Sequence, residues 1–343
     1  MQSNIFKRGL ALLKNLDLLE LGAEADRVRR RIHPDNVVTF INDRNINYTN
    51  ICTGRCRFCA FHRVSGENDS YLLSYQQVGN KIDEAKALGA VQILLQGGLH
   101  PELGIDWYQG LLRYIKKNHP IHIHGFSAPE IDHICRVSKI DLDTALSSLI
   151  DAGLDSIPGG GAEILCSRVR RRLSPRKISV KRWLRVHETA HGLGIRTTAT
   201  LVYGMGETIE ELLVHLSHIY RLQERTGGFT AFIPWSFQPS NTRLDYEKTG
   251  PARYLRVLAA SRVLLDNVPN IQASWITQGP DIAQLSLSFG ANDFGSTMLE
   301  ENVVRAAGCV FNVMNERKIA KLIRKAGFDP ALRTQDYRIT KRF

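Results

Sequence analysis

Asn50-Ile-Cys-Thr-Gly-Arg-Cys-Arg-Phe-Cys-Ala-Phe-His62 sets Cys52, Cys56 and Cys59 in a C-x3-C-x2-C pattern. Three thiolates within eight residues do not complete a tetrahedral zinc site, which takes four ligands. Electron-transfer iron–sulfur clusters likewise usually take four cysteines. Three thiolates suit a [4Fe–4S] cluster with one iron left open, and an open iron holds a substrate or cofactor. Structural zinc remains the alternative. A disulfide reading fails, because three cysteines this close leave one unpaired and nothing else suggests secretion.

Beyond that loop, the 343 residues are 43% hydrophobic and 23% charged, the balance of a soluble globular protein. No apolar run reaches the ~18 residues of a membrane span, and the first residues show no secretory h-region. Six cysteines with three of them clustered point to a reducing cytoplasm. The net charge of +11 raises the question of nucleic acid. The densest basic run, Arg168-Val-Arg-Arg-Arg172 with Arg176 and Lys177 beyond it, carries no interleaved aromatics. It reads as a solvated helix start and loop, with an acidic protein partner as the next option and nucleic acid excluded.

Residues 5–32 read as helical, with Leu21, Ala25, Val28 and Ile32 on one face and Pro34 closing the element. From there, short apolar runs alternate with helical patterns. The expected strands are 37–41, 91–96, 121–125, 156–159, 197–203, 229–234, 271–276 and 285–289. Strands separated by crossover helices imply a parallel sheet, and eight of them close a (β/α)8 barrel. A six-stranded open barrel is the rival. The expected organisation is α/β in one domain over 1–343: a helical N-terminal extension (1–36), a barrel (37–296) and a helical C-terminal extension (297–343).

The pocket of such a barrel lies at the C-terminal strand ends. Gln96-Gly97-Gly98 removes side chains either to admit a ligand or to make a tight turn. Gly159-Gly160-Gly161 followed by Glu163 has the same two readings. His122 and His124 share one strand face, and His124, nearer the strand end, is the better substrate contact. Asp293 and Glu207 are candidate bases, with a turn role the duller reading for each. Trp235, Phe237 and Trp275 serve packing or the stacking of an aromatic substrate. Cys135, Cys166 and Cys309 read as small buried hydrophobes.

The cysteine loop with Phe58 before its last thiol resembles the radical S-adenosylmethionine (radical SAM) enzymes. Together with Thr230–Thr242 and with Asn270–Gly279 and Phe289–Asn302, it is similar to the cyclic dehypoxanthinyl futalosine synthases of that superfamily. The resemblance implies a TIM-type barrel in which Cys52, Cys56 and Cys59 hold a [4Fe–4S] cluster. It implies S-adenosylmethionine contacted by Gln96, Gly97, Gly98 and Glu163, and a substrate, dehypoxanthine futalosine, near His124, Trp235 and Trp275. Asp293 is the expected proton acceptor. An acidic electron donor such as flavodoxin or ferredoxin is expected to dock beside Arg55, Arg57 and Arg63. Aminofutalosine synthase and the deazaflavin-forming enzymes share the cysteine loop and are the competing members.

Overall fold

A computed structural model describes residues 2–310 and 313–343. Its strands are β1 (Val37–Ile41), β2 (Asp43–Asn47), β3 (Gln92–Gln96), β4 (His122–Gly125), β5 (Ser156–Ile157), β6 (Arg196–Tyr203), β7 (Phe229–Ser236), β8 (Asn270–Ile271), β9 (Asp293–Ser296), β10 (Asp329–Arg333) and β11 (Ile339–Arg342). Strands β2 to β8 form one sheet in sequence order, and β11-β10-β1-β9 a second. The two join at both ends. β1 and β2 are one run of chain bent at Asn42. Across the other seam Gln272 bridges Asp293 in parallel, and the Ala273 N–H donates to the Asp293 carbonyl at 2.8 Å. Counting β1–β2 as one strand, the ring from there through β9 has the parallel strand positions of an α/β TIM-type barrel.

Helices cover the outside, and several starts were legible as capping boxes. Asp17 pairs with Glu20, Ser74 with Gln77 and Thr208 with Glu211, each satisfying backbone N–H groups at a helix N-terminus. The expected N-terminal helix is two helices, Gln2–Asn15 and Leu18–Ile32, because Asp17 caps the second. Leu21, Ala25 and Val28 are buried as the periodicity required.

The last two expected strands are misplaced in the sequence reading. The run 271–276 pairs only at Asn270–Ile271, and Trp275–Gln278 turns helical. The alternating run Leu285-Ser-Leu-Ser-Phe289 is helical: Pro280 opens a helix to Ser286, a 3-10 turn follows, and Gly290 at φ 99° ends it. Leu285 is exposed while Ala283, Ser286 and Leu287 are buried, a helical spacing that period-two inspection mistook for a strand. The eighth position is β9, whose Asp293-Phe-Gly-Ser296 lacks the apolar signature of a buried strand.

β2 was overlooked for a related reason. Its Asp43-Arg-Asn-Ile-Asn47 is polar, and Asp43 and Asn45, at alternate positions, line a cavity. At the C-terminus the helix Glu316–Lys325 is present, but the tail after it is a hairpin rather than a helix. β10 pairs parallel with β1, and β11 returns antiparallel. The turn between them, at Thr334–Arg338, carries Gln335 and Tyr337 into the barrel interior.

Candidate active site

The cysteine loop leaves β2 and folds over the barrel mouth. Its backbone is tied down at both ends: the Cys52 N–H donates to the Arg63 carbonyl at 3.0 Å and the Thr53 N–H to the Leu99 carbonyl at 3.0 Å. Arg55 takes φ 46°, which turns the loop between the first two thiols. Gly54 faces both sulfurs; a Cβ there would lie 3.3 Å from Cys52 Sγ and 3.8 Å from Cys56 Sγ. Its own N–H donates to Cys52 Sγ at 3.4 Å. Cys59 opens on the cavity below. All three cysteines are free thiols.

Among the described residues no three His, Cys, Asp or Glu side chains gather round one ion-sized point. A bare glycine between two sulfurs, a backbone donor to one of them and a cation beside another fit a larger, negatively charged thiolate-ligated cluster. The cation is Lys177, which the sequence reading had consigned to a solvated loop. Its side chain is 15% exposed, and its Nζ lies 2.8 Å from Glu163 Oε1 and 5.3 Å from the centroid of the Phe58 ring. Burial pushes the Cys56 thiol up to about 12, and Lys177 pulls it down. Three more residues of the basic run are engaged, whereas Arg171 and Arg176 are exposed as expected. Arg168 makes a fork to Glu211 at 2.6 and 2.7 Å, Arg170 is buried on the carbonyls of Gly161, Ala162 and Ile178, and Arg172 bonds the Met205 carbonyl.

Gln96-Gly97-Gly98 serves the loop directly. A Cβ on Gly97 would sit 2.5 Å from the Tyr48 ring, and one on Gly98 only 2.2 Å from the Ile51 carbonyl oxygen and 3.0 Å from Cys52 Cβ. The glycines therefore let the cysteine loop pack on the end of β3. Glu130, the capping-box partner of Ser127, holds the turn from below, accepting from the Gly97 N–H at 2.9 Å and Tyr48 Oη at 2.7 Å. Gly98→Ala is expected to keep native far-UV circular dichroism but lose most of its iron on reconstitution, because the added methyl displaces the Ile51–Cys52 backbone. Full iron content in that variant would refute this packing account.

Below the loop lies a cavity of about 270 Å³, and beside it one of about 200 Å³ that reaches Phe58 and Cys59; Glu163, Val202 and Trp235 border both. Gln96, Glu163, His124 and Trp235 all reach the larger space, so these four expected contacts come together. Glu163, at φ 39°, is pinned by Lys177 and Arg170. His124 is buried, and burial, aided by His122 and Arg333, takes it down to about 3, so its imidazole is neutral at physiological pH. It lies 2.7 Å from Ser156 Oγ through Nδ1 and 3.4 Å from the Gln335 amide through Nε2.

Three expectations move. Asp293 does not line either space: it is fully buried under the Arg333 guanidinium and accepts from Thr39 Oγ1 at 2.6 Å. Its carboxylate neutralises a buried cation instead of facing substrate. Trp275 is 2% exposed and donates Nε1–H to the Ser296 carbonyl at 2.8 Å, behind the wall rather than on it. Glu207 takes the turn role, accepting from the Gly204 and Met205 N–H groups and pairing with Arg253. Residues not foreseen also line the larger cavity, among them Asn45, Gln92, Glu301, Arg333 and Tyr337. Asn45 and Arg333 sit on strands the sequence did not announce, Gln92 opens an expected strand, and Glu301 and Tyr337 come from connecting segments.

A family model described as the Radical SAM superfamily matches residues 46–219, and one described as the CofH/MqnC C-terminal region matches 226–342. The chain is 46% identical to a cyclic dehypoxanthine futalosine synthase of Halalkalibacterium halodurans, over 97% of this chain and 90% of the relative. It is 44% identical to one of Streptomyces coelicolor, over 96% and 84%. An aminodeoxyfutalosine synthase of Thermus thermophilus is 39% identical over 97% and 91%. Among solved structures, methylornithine synthase superposes with a TM-score of 0.72 at 17% identity, covering 94% of this chain and 97% of that one, a likeness of fold.

Proposed function

This chain belongs to the radical SAM superfamily, and from that premise we propose that it cyclises dehypoxanthine futalosine to cyclic dehypoxanthinylfutalosinate, releasing 5′-deoxyadenosine and methionine. The step belongs to the futalosine route to menaquinone. The observation that carries the reading is a pair of neighbouring cavities below a three-thiol loop, the larger with a polar and an apolar side. Asn45, Gln92, Gln96 and His124 make one side polar, and Val202, Ile233 and Trp235 make the other apolar and aromatic. A ribose joined to a benzoyl ring needs both surfaces. The relatives at 46% and 44% identity support the same substrate.

When bound, the [4Fe–4S] cluster and S-adenosylmethionine supply the 5′-deoxyadenosyl radical that takes the hydrogen from ribose C4′. The chain's own residues bind, orient and shield. Cys52, Cys56 and Cys59 hold the cluster, with Lys177 offsetting thiolate charge. Gln96 and Glu163 meet the polar groups of S-adenosylmethionine. His124, neutral, hydrogen-bonds substrate. Trp235 stacks on the benzoyl ring and holds it against the sugar, the gain that positioning confers. Val303 and Val304 close over both spaces and keep water out. An acidic flavodoxin or ferredoxin meets Arg55 and Arg57, which are exposed beside the loop, whereas Arg63 is bound to Asp69. Among the described residues no helix is long and apolar enough to cross a membrane. Three clustered thiols that must stay reduced support a cytoplasmic location.

Restoring the aromatic ring releases a proton, and Glu301 is placed to take it. Its side chain lines the larger cavity, with Oε2 bonded by Asn45 Nδ2 at 2.7 Å and Oε1 by the Val303 and Val304 N–H groups. Burial raises its pKa, which suits a general base near neutral pH. With substrate deuterated at C4′, label is expected in 5′-deoxyadenosine alongside a product two hydrogens lighter than substrate. Glu301→Gln is expected to transfer label yet lose most cyclised product. Adenosylation of an enolpyruvyl benzoate, with the futalosine ignored, would instead assign the sister synthase.

A further inference from the structure

The cavity holds three buried polar atoms that no protein group satisfies: Asn45 Oδ1, Gln92 Oε1 and Tyr337 Oη. Buried polar atoms are nearly always paired, so three unpaired ones on residues that line a single space mark positions kept for a ligand. Their orientations are set by neighbours. Gln92 Nε2 donates to Asp43 at 2.8 Å and Asn45 Nδ2 to Glu301 at 2.7 Å. A carboxylate accepts, so each amide spends its N–H on it and leaves its oxygen without a protein partner. Two free acceptors call for two donors, and a ligand carboxylate has none to give. The cation on this wall, Arg333, is already matched by Asp293, so nothing here draws an anion.

Tyr337 completes the set from the opposite end of the chain. It sits in the β10–β11 turn, which the Thr334 N–H closes onto the Arg338 carbonyl at 2.9 Å. Its φ of 63° is a left-handed conformation that a bulky residue adopts only under constraint. The constraint is Arg333, whose guanidinium lies 3.9 Å from the ring centroid. The turn thus holds a phenol in the barrel floor with its hydroxyl unpaired.

We propose that Asn45 Oδ1, Gln92 Oε1 and Tyr337 Oη form a subsite that reads the vicinal hydroxyls of a ribosyl ligand. The C-terminal hairpin is then a specificity element, and the sugar enters with its hydroxyl edge toward the floor and its benzoate end toward Trp235. The proposal rests on the ribosyl substrate of the preceding section and adds which groups recognise it.

Tyr337→Phe removes one oxygen that has no protein partner, so the melting temperature of the reconstituted enzyme is expected to stay level or rise. KM for dehypoxanthine futalosine is expected to rise roughly two- to tenfold, the span of one neutral hydrogen bond. Gln92→Met is expected to raise it comparably. The decisive readout is non-additivity. A 2′- or 3′-deoxy analogue that costs the wild type a similar factor is expected to cost one of these variants nothing further. If both variants keep wild-type KM, or the deoxy penalties persist unchanged in both, the subsite is wrong while the cyclase reading stands. If the wild type ignores the ribosyl substrate and turns over a sugar-free enolpyruvyl benzoate, both fall together.

Discussion

Cys56→Ala is expected to reduce cluster iron and 5′-deoxyadenosine formation to background, and Cys52→Ala and Cys59→Ala to do the same. Cys56 is buried between Gly54 and the Lys177 side of the loop. The other three cysteines are engaged elsewhere. Cys135 packs in the core, Cys166 Sγ lies 3.5 Å from Glu211, and Cys309 Sγ donates to the Ile276 carbonyl. Each is expected to tolerate alanine with the brown chromophore kept. The measurement is iron and sulfide per chain after anaerobic reconstitution, with methionine and 5′-deoxyadenosine counted after reduction. A Cys56→Ala protein with a full cluster and turnover would sink the assignment.

The second large effect is on stability. Asp293→Ala leaves the Arg333 guanidinium, itself 2% exposed, without its counterion in the barrel floor. Stranding one member of a buried pair costs about 3–5 kcal/mol, because the remaining charge keeps its desolvation penalty and loses its attraction. Replacing both, as Asp293→Asn with Arg333→Met, is expected to recover much of that loss. Urea unfolding of the two proteins makes the comparison. It also separates this role from catalysis. An Asp293→Asn protein of wild-type stability that transfers C4′ deuterium but forms no cyclic product would mean that Asp293, not Glu301, handles the proton.

The contrast between Asp293, paired with Arg333, and Glu301, the proposed proton acceptor on the cavity wall, shows where sequence reading runs out. Both residues are carboxylates close to glycine or to a helix start in the same segment, and composition ranks neither above the other. What separates them is Arg333, forty residues beyond Asp293, which arrives through the β10 hairpin and occupies one of the two. Lys177 was misread for the same kind of reason. A lysine in a basic run reads as solvated, and only the return of the chain from the helix Ser167–Leu173 brings it to Glu163 and the Cys56 side of the loop.

The sequence by itself determined the chemistry of the mouth. Three thiols at that spacing, a glycine pair after β3 and alternating strands and helices are local patterns, and local patterns survive translation into structure because each depends on a few bonded neighbours. The barrel class followed from the same period counting. Tertiary structure alone decided the floor. β2, β9 and β10 are short, and they are strands because partners at large sequence separation complete their hydrogen bonds, while Asp43, Asn45, Ser296 and Arg333 reach a cavity instead of a filled core. Which polar atoms are left unpaired there depends on three stretches of chain meeting in one space, and no window along the sequence contains all three.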